Sequence, residues 1–436
     1  MPRTGRWALL PLIFAGAAIV MLPQVPRGQG QPGGAMALVG ARIIDGTGGA
    51  AIDAGTIVVR DGRIAAVGAT SAVQIPADAT RVDLAGMTIV PGFVNAHGHA
   101  HAPDGVPARE ALIQRLRTYA AYGVTTVVSL GQNAETADVV RLRDEQAKGP
   151  LDRARVYTSG PSQRGLASPA AARAAIDTLT AQGVDRIKFH MAEGAGAMTP
   201  DVYGALIEAA AAKKLRSAAH IFKLDEAKGV VSRGINVVAH SVRDRDVDAA
   251  FIAEMKKRNT FYVPTLTREV SVFVYESTPA FFTDPFFRRG LSLYQRDVDS
   301  LSDPARQQQI RQDKSAQAIK TALVQANRNL KLLSDAGVAI AMGTDSGAGV
   351  GRFQGYFEHV EMEMMVQAGM TPTQVLLAAT GNAARASGLD HVGTIGVGKA
   401  ADLVVLRADP RQDIKNTRQI HSVWIGGRRL EMAGQP

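Results

Sequence analysis

Six side chains able to bind metal stand at or near the ends of short apolar runs in this sequence. They are His97, His99, Lys188, His220, His240 and Asp345. A single residue separates His97 from His99, so on a β-strand both imidazoles would point to one face and could reach one ion. Each residue alone is more often an ordinary core or loop residue. Their shared position at the ends of apolar runs predicts a metal site.

The chain has 436 residues and no cysteine. This absence excludes a disulfide framework, a thiol nucleophile, and zinc or iron–sulfur sites with cysteine ligands. Transition-metal ligands must therefore come from the nine histidines and from carboxylates. A mechanism in which metal ions activate water needs no serine or cysteine nucleophile, which suits this composition.

Residues 88–392 alternate short apolar strands with amphipathic helices. Four of the strands follow a glycine and a β-branched residue, in the pairs Gly123-Val124, Gly183-Val184, Gly234-Ile235 and Gly337-Val338. Glycine at such a place ends the preceding helix in a left-handed cap. Eight strand–helix units predict an α/β fold, a (β/α)8 TIM barrel with its chemistry at the C-terminal ends of the strands. A doubly wound sheet is the weaker alternative, since no Gly-x-Gly-x-x-Gly motif opens a first helix.

Both ends of the chain show a sequence pattern typical of β-strands. Residues 36–87 and 393–434 alternate Val/Ile/Leu runs with turn residues, and Asp61-Gly62 between two such runs predicts a hairpin. We expect these two segments to form one small composite β-sandwich domain. Within the barrel, residues 265–335 form a long insertion rich in Phe and Tyr. It either packs onto the barrel or forms an apolar lid over the site.

Residues 1–30 predict an export signal peptide. Arg3 and Arg6 precede an apolar run that is shorter than a membrane span requires. We therefore expect a periplasmic or secreted protein without a stable membrane anchor beyond this segment. The alternative is an uncleaved signal anchor.

The net charge of +9 does not point to a nucleic-acid partner. Arg3, Arg6 and Arg27 lie in the predicted signal, and the other basic residues are interleaved with acidic ones. A basic stripe alternating with aromatic residues is missing from the sequence. We expect a small molecule as the partner, and the composition leaves homo-oligomerisation open.

Several longer stretches resemble the amidohydrolase superfamily. They are residues 82–86, 91–99, 123–126, 343–346 and 393–403. The resemblance extends from the first β unit to the last. Within the superfamily the chain is similar to the imidazolonepropionase-related and Xaa-Pro-dipeptidase-like branch, which has a lysine on the fourth barrel strand.

The resemblance implies a dinuclear metal centre. It assigns His97, His99 and Asp345 to the more buried ion and His220 and His240 to the second, with zinc as the expected metal. It also makes Lys188 an N6-carboxylysine that bridges both ions. An ammonium group there would repel two cations, whereas its carbamate supplies an anionic oxygen. The alternative is an unmodified Lys188 paired with Asp345 beside a single ion.

By the same resemblance the protein is a hydrolase of carbon–nitrogen bonds. It would cleave the amide of a dipeptide or an N-acyl amino acid with a metal-bound hydroxide, and Asp345 would act as the catalytic proton carrier. A cyclic-amide, lactone or imidazolone-type ring hydrolase with the same metal site is the alternative. A binding protein on a degenerate barrel is a third hypothesis, against which the complete ligand set argues.

Three residues are candidates for substrate binding: Arg243, Tyr203 and Arg268. Arg243 lies three residues after His240 and could hold a carboxylate bidentately, or could pair with a nearby aspartate instead. Xaa-Pro-dipeptidase relatives usually have Gly-Gly-His after the third strand, but residues 159–165 here read Ser-Gly-Pro-Ser-Gln-Arg-Gly. Proline specificity is therefore in doubt. The Phe-rich insertion favours an apolar or aromatic portion on the substrate.

Two further histidines could border the site. His101 follows His99 by two residues, and His190 follows Lys188 by two on the same strand face. We expect His359 to pack a late helix and His391 to lie outside the barrel core.

Overall fold

The computed structural model describes residues 34–101, 107–131, 135–191 and 196–431. The predicted export signal lies outside these residues. Among the helices of the described part, none is long and apolar enough to cross a membrane.

The chain forms strands at both ends and alternates strands with helices between them. In order, the strands are β1 (Met36–Ile43), β2 (Ile52–Arg60), β3 (Arg63–Ala69), β4 (Thr80–Asp83), β5 (Thr88–Pro91), β6 (Phe93–Gly98), β7 (Val124–Ser129), β8 (Arg155–Thr158), β9 (Arg186–His190), β10 (Arg216–His220), β11 (Val237–Ala239), β12 (Phe261–Val263), β13 (Leu403–Leu406), β14 (Ile420–Ile425) and β15 (Arg428–Arg429). The α-helices are α1 (Ala108–Ala121), α2 (Thr136–Glu145), α3 (Pro169–Ala181), α4 (Pro200–Ala212), α5 (Leu224–Ser232), α6 (Ala249–Arg258), α7 (Leu266–Phe273), α8 (Pro285–Arg288), α9 (Leu291–Leu301), α10 (Pro304–Gln312), α11 (Lys314–Asp335), α12 (Tyr356–Gln367), α13 (Pro372–Leu377) and α14 (Ala383–Ser387).

The two terminal segments meet in one mixed sheet. Its order is β15-β14-β13-β5-β1-β2-β3, with β4 also paired to β1. The antiparallel pairing of β13 with β5 joins the far ends of the chain. This confirms a β-rich domain built from both termini. The predicted start of the barrel at residue 88 falls inside this sheet, because β5 pairs here and the first barrel strand begins at Phe93.

The hairpin predicted at Asp61-Gly62 connects β2 and β3. Both residues have positive φ, 50° and 75°, as a two-residue turn with the twist of the flanking strands requires. Arg60 and Arg63 pair across it. The sheet has its own buried cluster, which includes Leu38, Ile57 and Trp424 and is separate from the barrel core.

The middle of the chain is a barrel of parallel strands. One run pairs in the order β6-β7-β8 and a second in the order β9-β10-β11-β12. A parallel bridge between Gln163 and Phe189 joins the two runs, and another links Tyr262 to Ile340 in an eighth, extended segment. That segment hydrogen-bonds back to β6, which closes the ring. The predicted (β/α)8 barrel is confirmed.

The predicted glycine caps are also present. Gly123, Gly183, Gly234 and Gly337 have φ of 79°, 74°, 87° and 76°. They follow the ends of α1, α3, α5 and α11. A residue with a Cβ would be strained in this left-handed conformation, so glycine is the residue that lets each helix stop and the next strand begin.

The aromatic residues of the long insertion pack against one another. Tyr275, Phe282, Phe286, Phe287 and Tyr294 are buried. Their rings contact each other and the rings at the start of α12, for example Phe287 with Tyr356 at a centroid distance of 5.1 Å. These ring contacts fasten the insertion to the barrel through α12, as the packing interpretation expects.

Candidate active site

All six predicted metal-binding side chains lie at the C-terminal end of the barrel. His97 is the second-last residue of β6 and His99 directly follows that strand, while Lys188 is in β9 and His220 ends β10. His240 follows β11, and Asp345 follows the eighth extended segment. Because the C-terminal ends of parallel barrel strands meet on one face, these residues, distant in sequence, converge.

Asp345 lies between the two histidines of the first strand. Its Oδ1 is 2.8 Å from Nε2 of His99 and 3.2 Å from Nε2 of His97. The amine of Lys188 is 2.6 Å from Nε2 of His97. All four side chains are buried. Three nitrogen atoms and one carboxylate oxygen are thus directed at one small volume.

The other two histidines extend the cluster. The ring of His240 lies 4.7 Å from that of His97 and 4.1 Å from that of His220, between centroids. His190 stacks on the far side of His220 at 4.4 Å. The imidazoles therefore form a continuous row from β6 to β9.

Three residues at the site adopt the left-handed backbone conformation without being glycine. They are His240, Thr265 and Asp345, with φ of 71°, 50° and 59°. Such a conformation costs of order 1–3 kcal/mol and persists only where surrounding bonds over-determine it. The amide of Asp345 donates to the carbonyl of His97 at 2.7 Å, and that of His240 donates to Val263 at 2.9 Å. Backbone strain therefore occurs at residues whose side chains must be directed into the site.

A buried polar network supports the floor of the site. Glu358 Oε1 accepts hydrogen bonds from Asn95 at 2.5 Å, Ser346 at 2.6 Å and Thr344 at 2.9 Å. Asn95 in turn accepts the backbone N–H of His97 at 2.9 Å. The single carboxylate of Glu358 therefore connects the strand that carries His97 with the segment on either side of Asp345.

Burial controls the protonation of the cluster. It lowers the pKa of His97 to about 3 and that of Lys188 to about 8, and it holds the pKa of His240 well below its usual range. For Asp345 burial alone would raise the pKa, but hydrogen bonds from His97 and His99 outweigh this and hold the pKa well below the ordinary range. The histidines are neutral and the aspartate is ionised, which are the forms that bind metal.

The residues fit a divalent cation. Donor atoms of His97, His240 and Asp345 lie within 4.8 Å of one another. Nε2 of His240 is buried without a hydrogen-bond partner, a costly arrangement for a polar atom that a bond to a metal ion would relieve. Neutral imidazole nitrogens with a carboxylate oxygen form a typical zinc ligand set.

A cavity of about 520 Å³ opens above this cluster. Lys188, His220 and Asp345 form part of its lining, and three arginines, Arg164, Arg268 and Arg352, also line it. The aromatic side chains of the insertion are not among the lining residues. The expectation of an apolar substrate portion, which depended on those aromatic residues, therefore loses its support.

Comparison with known proteins decides the family. A family model described as "Amidohydrolase family" matches residues 88–430. The chain belongs to this family. It is a hydrolase of the amidohydrolase superfamily that acts on carbon–nitrogen bonds.

The curated relatives of this amidohydrolase differ in activity. It is 39% identical to the enamidase of Eubacterium barkeri over 80 residues, which cover 18% of this chain and only 20% of that enzyme. It is 26% identical to the imidazolonepropionase of Deinococcus deserti over 421 residues, 87% of this chain and 92% of that enzyme. The relatives share the scaffold and do not agree on one substrate.

Solved structures repeat the fold. A putative prolidase from Bifidobacterium longum superposes with a TM-score of 0.75 at 24% identity, over 93% of this chain and 97% of that one. A Xaa-Pro dipeptidase with bound methionine gives a TM-score of 0.71 at 20% identity, over 91% and 100% of the two chains. At these identities the likeness establishes the architecture.

The three residues predicted to bind substrate lie in different surroundings. Arg268 lines the cavity of the amidohydrolase, with its Nε 3.7 Å from Oδ2 of Asp345. Arg243 is buried, 3.4 Å from Glu269, and is not a lining residue. Tyr203 is buried in α4 with the guanidinium of Arg233 over its ring, and it too is outside the cavity lining.

Two lining arginines escaped the sequence analysis. Arg164 lies in the loop that replaces Gly-Gly-His, so the departure from the family pattern was a signal that could have identified it. Arg352 lies in a glycine-rich loop after Asp345 and contacts its carboxylate, but its spacing carries no such signal. His101 and His190 both line the cavity, as their positions two residues after His99 and Lys188 predicted.

Two of the other histidines support the structure. His359 is buried in α12 and bridges Thr417 at 2.9 Å and the carbonyl of Tyr122 at 2.8 Å. His391 lies 3.0 Å from the hydroxyl of Tyr157. Both are outside the cavity lining, in agreement with the sequence-based expectations.

Proposed function

We propose that this amidohydrolase cleaves the amide bond of a dipeptide or an N-acyl amino acid with the help of divalent metal, most naturally zinc. One observation carries the proposal. Three arginines line a cavity that opens directly on the His/Lys/Asp cluster, so an anionic substrate would be held with its scissile bond beside the metal ligands. Dipeptides and N-acyl amino acids both carry a carboxylate close to an amide.

The proposed metal ligands divide into two groups. His97, His99 and Asp345 would hold one ion, and His220 and His240 the other. Lys188 would bridge them as a carbamate. The pKa of Lys188, lowered by burial to about 8, leaves part of the amine neutral near physiological pH. The neutral amine can add to the carbon of CO2 and release one proton, which converts a cationic side chain into an anionic ligand.

When bound, the ions would lower the pKa of water and polarise the scissile carbonyl. The low pKa of Asp345 keeps its carboxylate ionised, so Asp345 starts as a proton acceptor. As a C–O bond forms to the carbonyl carbon, Asp345 takes the proton of the attacking water. It returns that proton to the nitrogen when the C–N bond breaks.

Asp345 is held by its neighbours for this task. Its Oδ1 faces His97 and His99, while Oδ2 contacts the guanidinium of Arg352 and lies near that of Arg268. Guanidinium groups keep the carboxylate from rotating away, because their N–H donors are fixed in a plane.

A panel assay tests the proposal. Purified protein is analysed for bound metal and assayed, with added zinc, on dipeptides, N-acyl amino acids and cyclic amides. We expect stoichiometric metal, cleavage of at least one linear amide, and loss of that activity on chelation and in Asp345→Asn. Protein without stoichiometric metal, or amide cleavage that survives chelation, would contradict the proposal.

The second candidate is a hydrolase of imidazolone-type rings. The full-length similarity to an imidazolonepropionase favours it, since that alignment covers 92% of the relative. The same panel separates the two functions: cleavage of ring substrates without cleavage of any linear amide would select the second.

We also propose that residues 1–30 direct export to the periplasm or the medium. Arg3 and Arg6 before a short apolar run support this. Cell fractionation with amino-terminal sequencing of the mature protein tests it, and a cytoplasmic protein that retains residues 1–30 would contradict it.

A further inference from the structure

Arg164 differs from the other arginines of the cavity in its partner. Arg268 forms an ion pair with Glu269 at 2.7 Å, and Arg352 contacts Asp345. Arg164 instead lies 3.0 Å from Nε2 of His190. Among the ion pairs of the described residues, none gives Arg164 a carboxylate partner, so its charge remains available to a ligand.

The backbone around Arg164 is fixed to the strand that carries Lys188. The amide of Gln163 donates to the carbonyl of Lys188 at 2.9 Å, and the amide of His190 donates to the carbonyl of Gln163 at 3.0 Å. This bridge is the link between the two runs of barrel strands. These hydrogen bonds therefore fix the position of the Arg164 backbone relative to the metal-binding cluster. The side chain of Arg164 itself is exposed.

His190 orients the guanidinium. A guanidinium has donors and no acceptor, so Arg164 donates and Nε2 of His190 accepts. The ring of His190 is held in turn by its stack on His220, with an interplanar angle of 21°. One N–H of Arg164 is used in this way, and the others remain for a ligand in the cavity that both residues line.

We propose that Arg164 is the specificity-determining residue that binds the substrate carboxylate, with His190 as the residue that positions it. The inference rests on the proposed function and sharpens it. Substrates must present a free carboxylate within reach of Arg164 while their amide lies over the cluster, and amides whose carboxylate is capped as a carboxamide are poor substrates.

The proposal depends on the planar guanidinium of arginine, which offers paired N–H donors. A guanidinium binds a carboxylate through two parallel N–H donors, whereas a lysine ammonium acts as a point charge. Arg164→Lys should therefore recover only part of the selectivity, and Arg164→Gln should lose it. Because the carboxylate is bound equally in the ground and transition states, the loss falls mainly on KM.

The test compares one substrate in two forms: the best amide from the panel with its carboxylate free, and the same compound as its carboxamide. For the zinc-loaded wild type we expect kcat/KM to favour the acid by on the order of 10- to 100-fold. Arg164→Gln should lose most of this factor on the acid and lose much less activity on the carboxamide. Arg173→Gln, at an exposed position of α3, is the matched control and should behave as wild type.

His190→Leu tests the positioning role. It should reduce the acid-to-carboxamide ratio while the metal content stays stoichiometric, and His190→Gln, which keeps an acceptor, should restore part of the ratio.

Each outcome has a distinct consequence. Equal losses of Arg164→Gln on acid and carboxamide would overturn the carboxylate assignment, as would a wild type that does not discriminate between them. In both cases amide hydrolysis itself would stand. Failure of the metal-loaded wild type to cleave any linear amide would overturn the proposed function, and the carboxylate assignment with it.

Discussion

Thr265 and His240 are joined side chain to side chain, with the threonine hydroxyl 2.7 Å from Nδ1 of the imidazole. Both residues have left-handed backbones, with φ of 50° and 71°. The bond engages Nδ1 and leaves Nε2 of His240 buried without a partner beside the cluster. Thr265 thus selects the nitrogen of His240 that is offered to metal.

Removing this hydroxyl should weaken metal binding. Thr265→Val keeps the shape of the side chain but cannot accept the N–H of His240. We expect a 10- to 100-fold lower metal affinity, the range typical of lost outer-sphere partners. Competition titration with a chromogenic chelator measures it directly.

Thr265→Ser is the matched control, since it keeps the hydroxyl and loses only a methyl group. It should bind metal as wild type does. Equal metal affinity in the valine and serine variants would show that Thr265 does not orient His240.

A buried glutamate holds the segment that follows Thr265. Glu361 accepts the backbone N–H of Leu266 at 2.8 Å, the N–H of Thr267 at 2.8 Å and the Thr267 hydroxyl at 2.7 Å. It thereby caps the start of α7 from a distant helix. Arg268 is the next residue after Thr267, so the carboxylate of Glu361 also helps to position this cavity-lining arginine.

Glu361 should give the fold a characteristic pH dependence. Burial raises its pKa from 4.5 to about 7. Between these values the folded state binds more protons than the unfolded state, so this residue lowers stability as pH rises through the window. As pH rises from 4 to 8, the unfolding free energy of Glu361→Gln should therefore increase by roughly 3 kcal/mol relative to that of wild type.

Urea unfolding at closely spaced pH values measures that difference. Gln lacks one of the acceptor atoms, so the variant should be less stable than wild type at the acid end, by about 1–3 kcal/mol. A difference between the two proteins that does not change with pH would show that Glu361 keeps an ordinary pKa in the fold.

The convergence of the six candidate metal-binding residues could be predicted because each lies near or just after the end of a barrel strand. Strand ends meet on one face, so apolar runs that stop at His220 or Asp345 reveal a site without any knowledge of side-chain conformation. The same logic placed His101 and His190. These positions depend only on periodicity and topology, which a sequence displays.

The supporting residues could not be predicted in this way. Arg243 and Arg268 look alike in sequence, but Arg243 is buried in an ion pair with Glu269 whereas Arg268 lines the cavity. Glu361 acts on α7 across about 95 residues of chain. A phenylalanine-rich segment can form a lid or a fastening, since composition alone does not say which surface it covers. Such contacts depend on the tertiary arrangement of single side chains.

Carbamate formation on Lys188 should follow its pKa. Only the neutral amine reacts with CO2, so reconstitution of metal-free protein with zinc should accelerate as pH rises through about 8 at constant dissolved CO2. The rate of activity recovery measures this, and exclusion of CO2 should slow recovery at every pH. Recovery that ignores CO2 would favour the unmodified lysine beside a single ion.

A largely buried ion pair connects the barrel to the terminal sheet. Arg155, the first residue of β8, donates to both oxygens of Asp402 at 2.6 and 3.1 Å. Asp402 lies just before β13 and also accepts the amide of Gly426 at 2.7 Å. The pair lies at the start of a barrel strand, at the end opposite the cavity. It should therefore contribute to stability without contributing to chemistry.

A double-mutant cycle tests this separation. Arg155→Met leaves Asp402 buried and unpaired, which should cost about 3–5 kcal/mol of unfolding free energy. Asp402→Asn keeps the acceptor for Gly426 but also isolates a buried arginine, so its cost should be similar. The double variant should cost clearly less than the sum of the two, because it no longer buries an isolated charge. Metal content and kcat at low temperature should match wild type in all three variants.

A double variant that is destabilised by the full sum of the two single effects would contradict this prediction. It would mean that Arg155 and Asp402 act independently and that other contacts couple the sheet to the barrel.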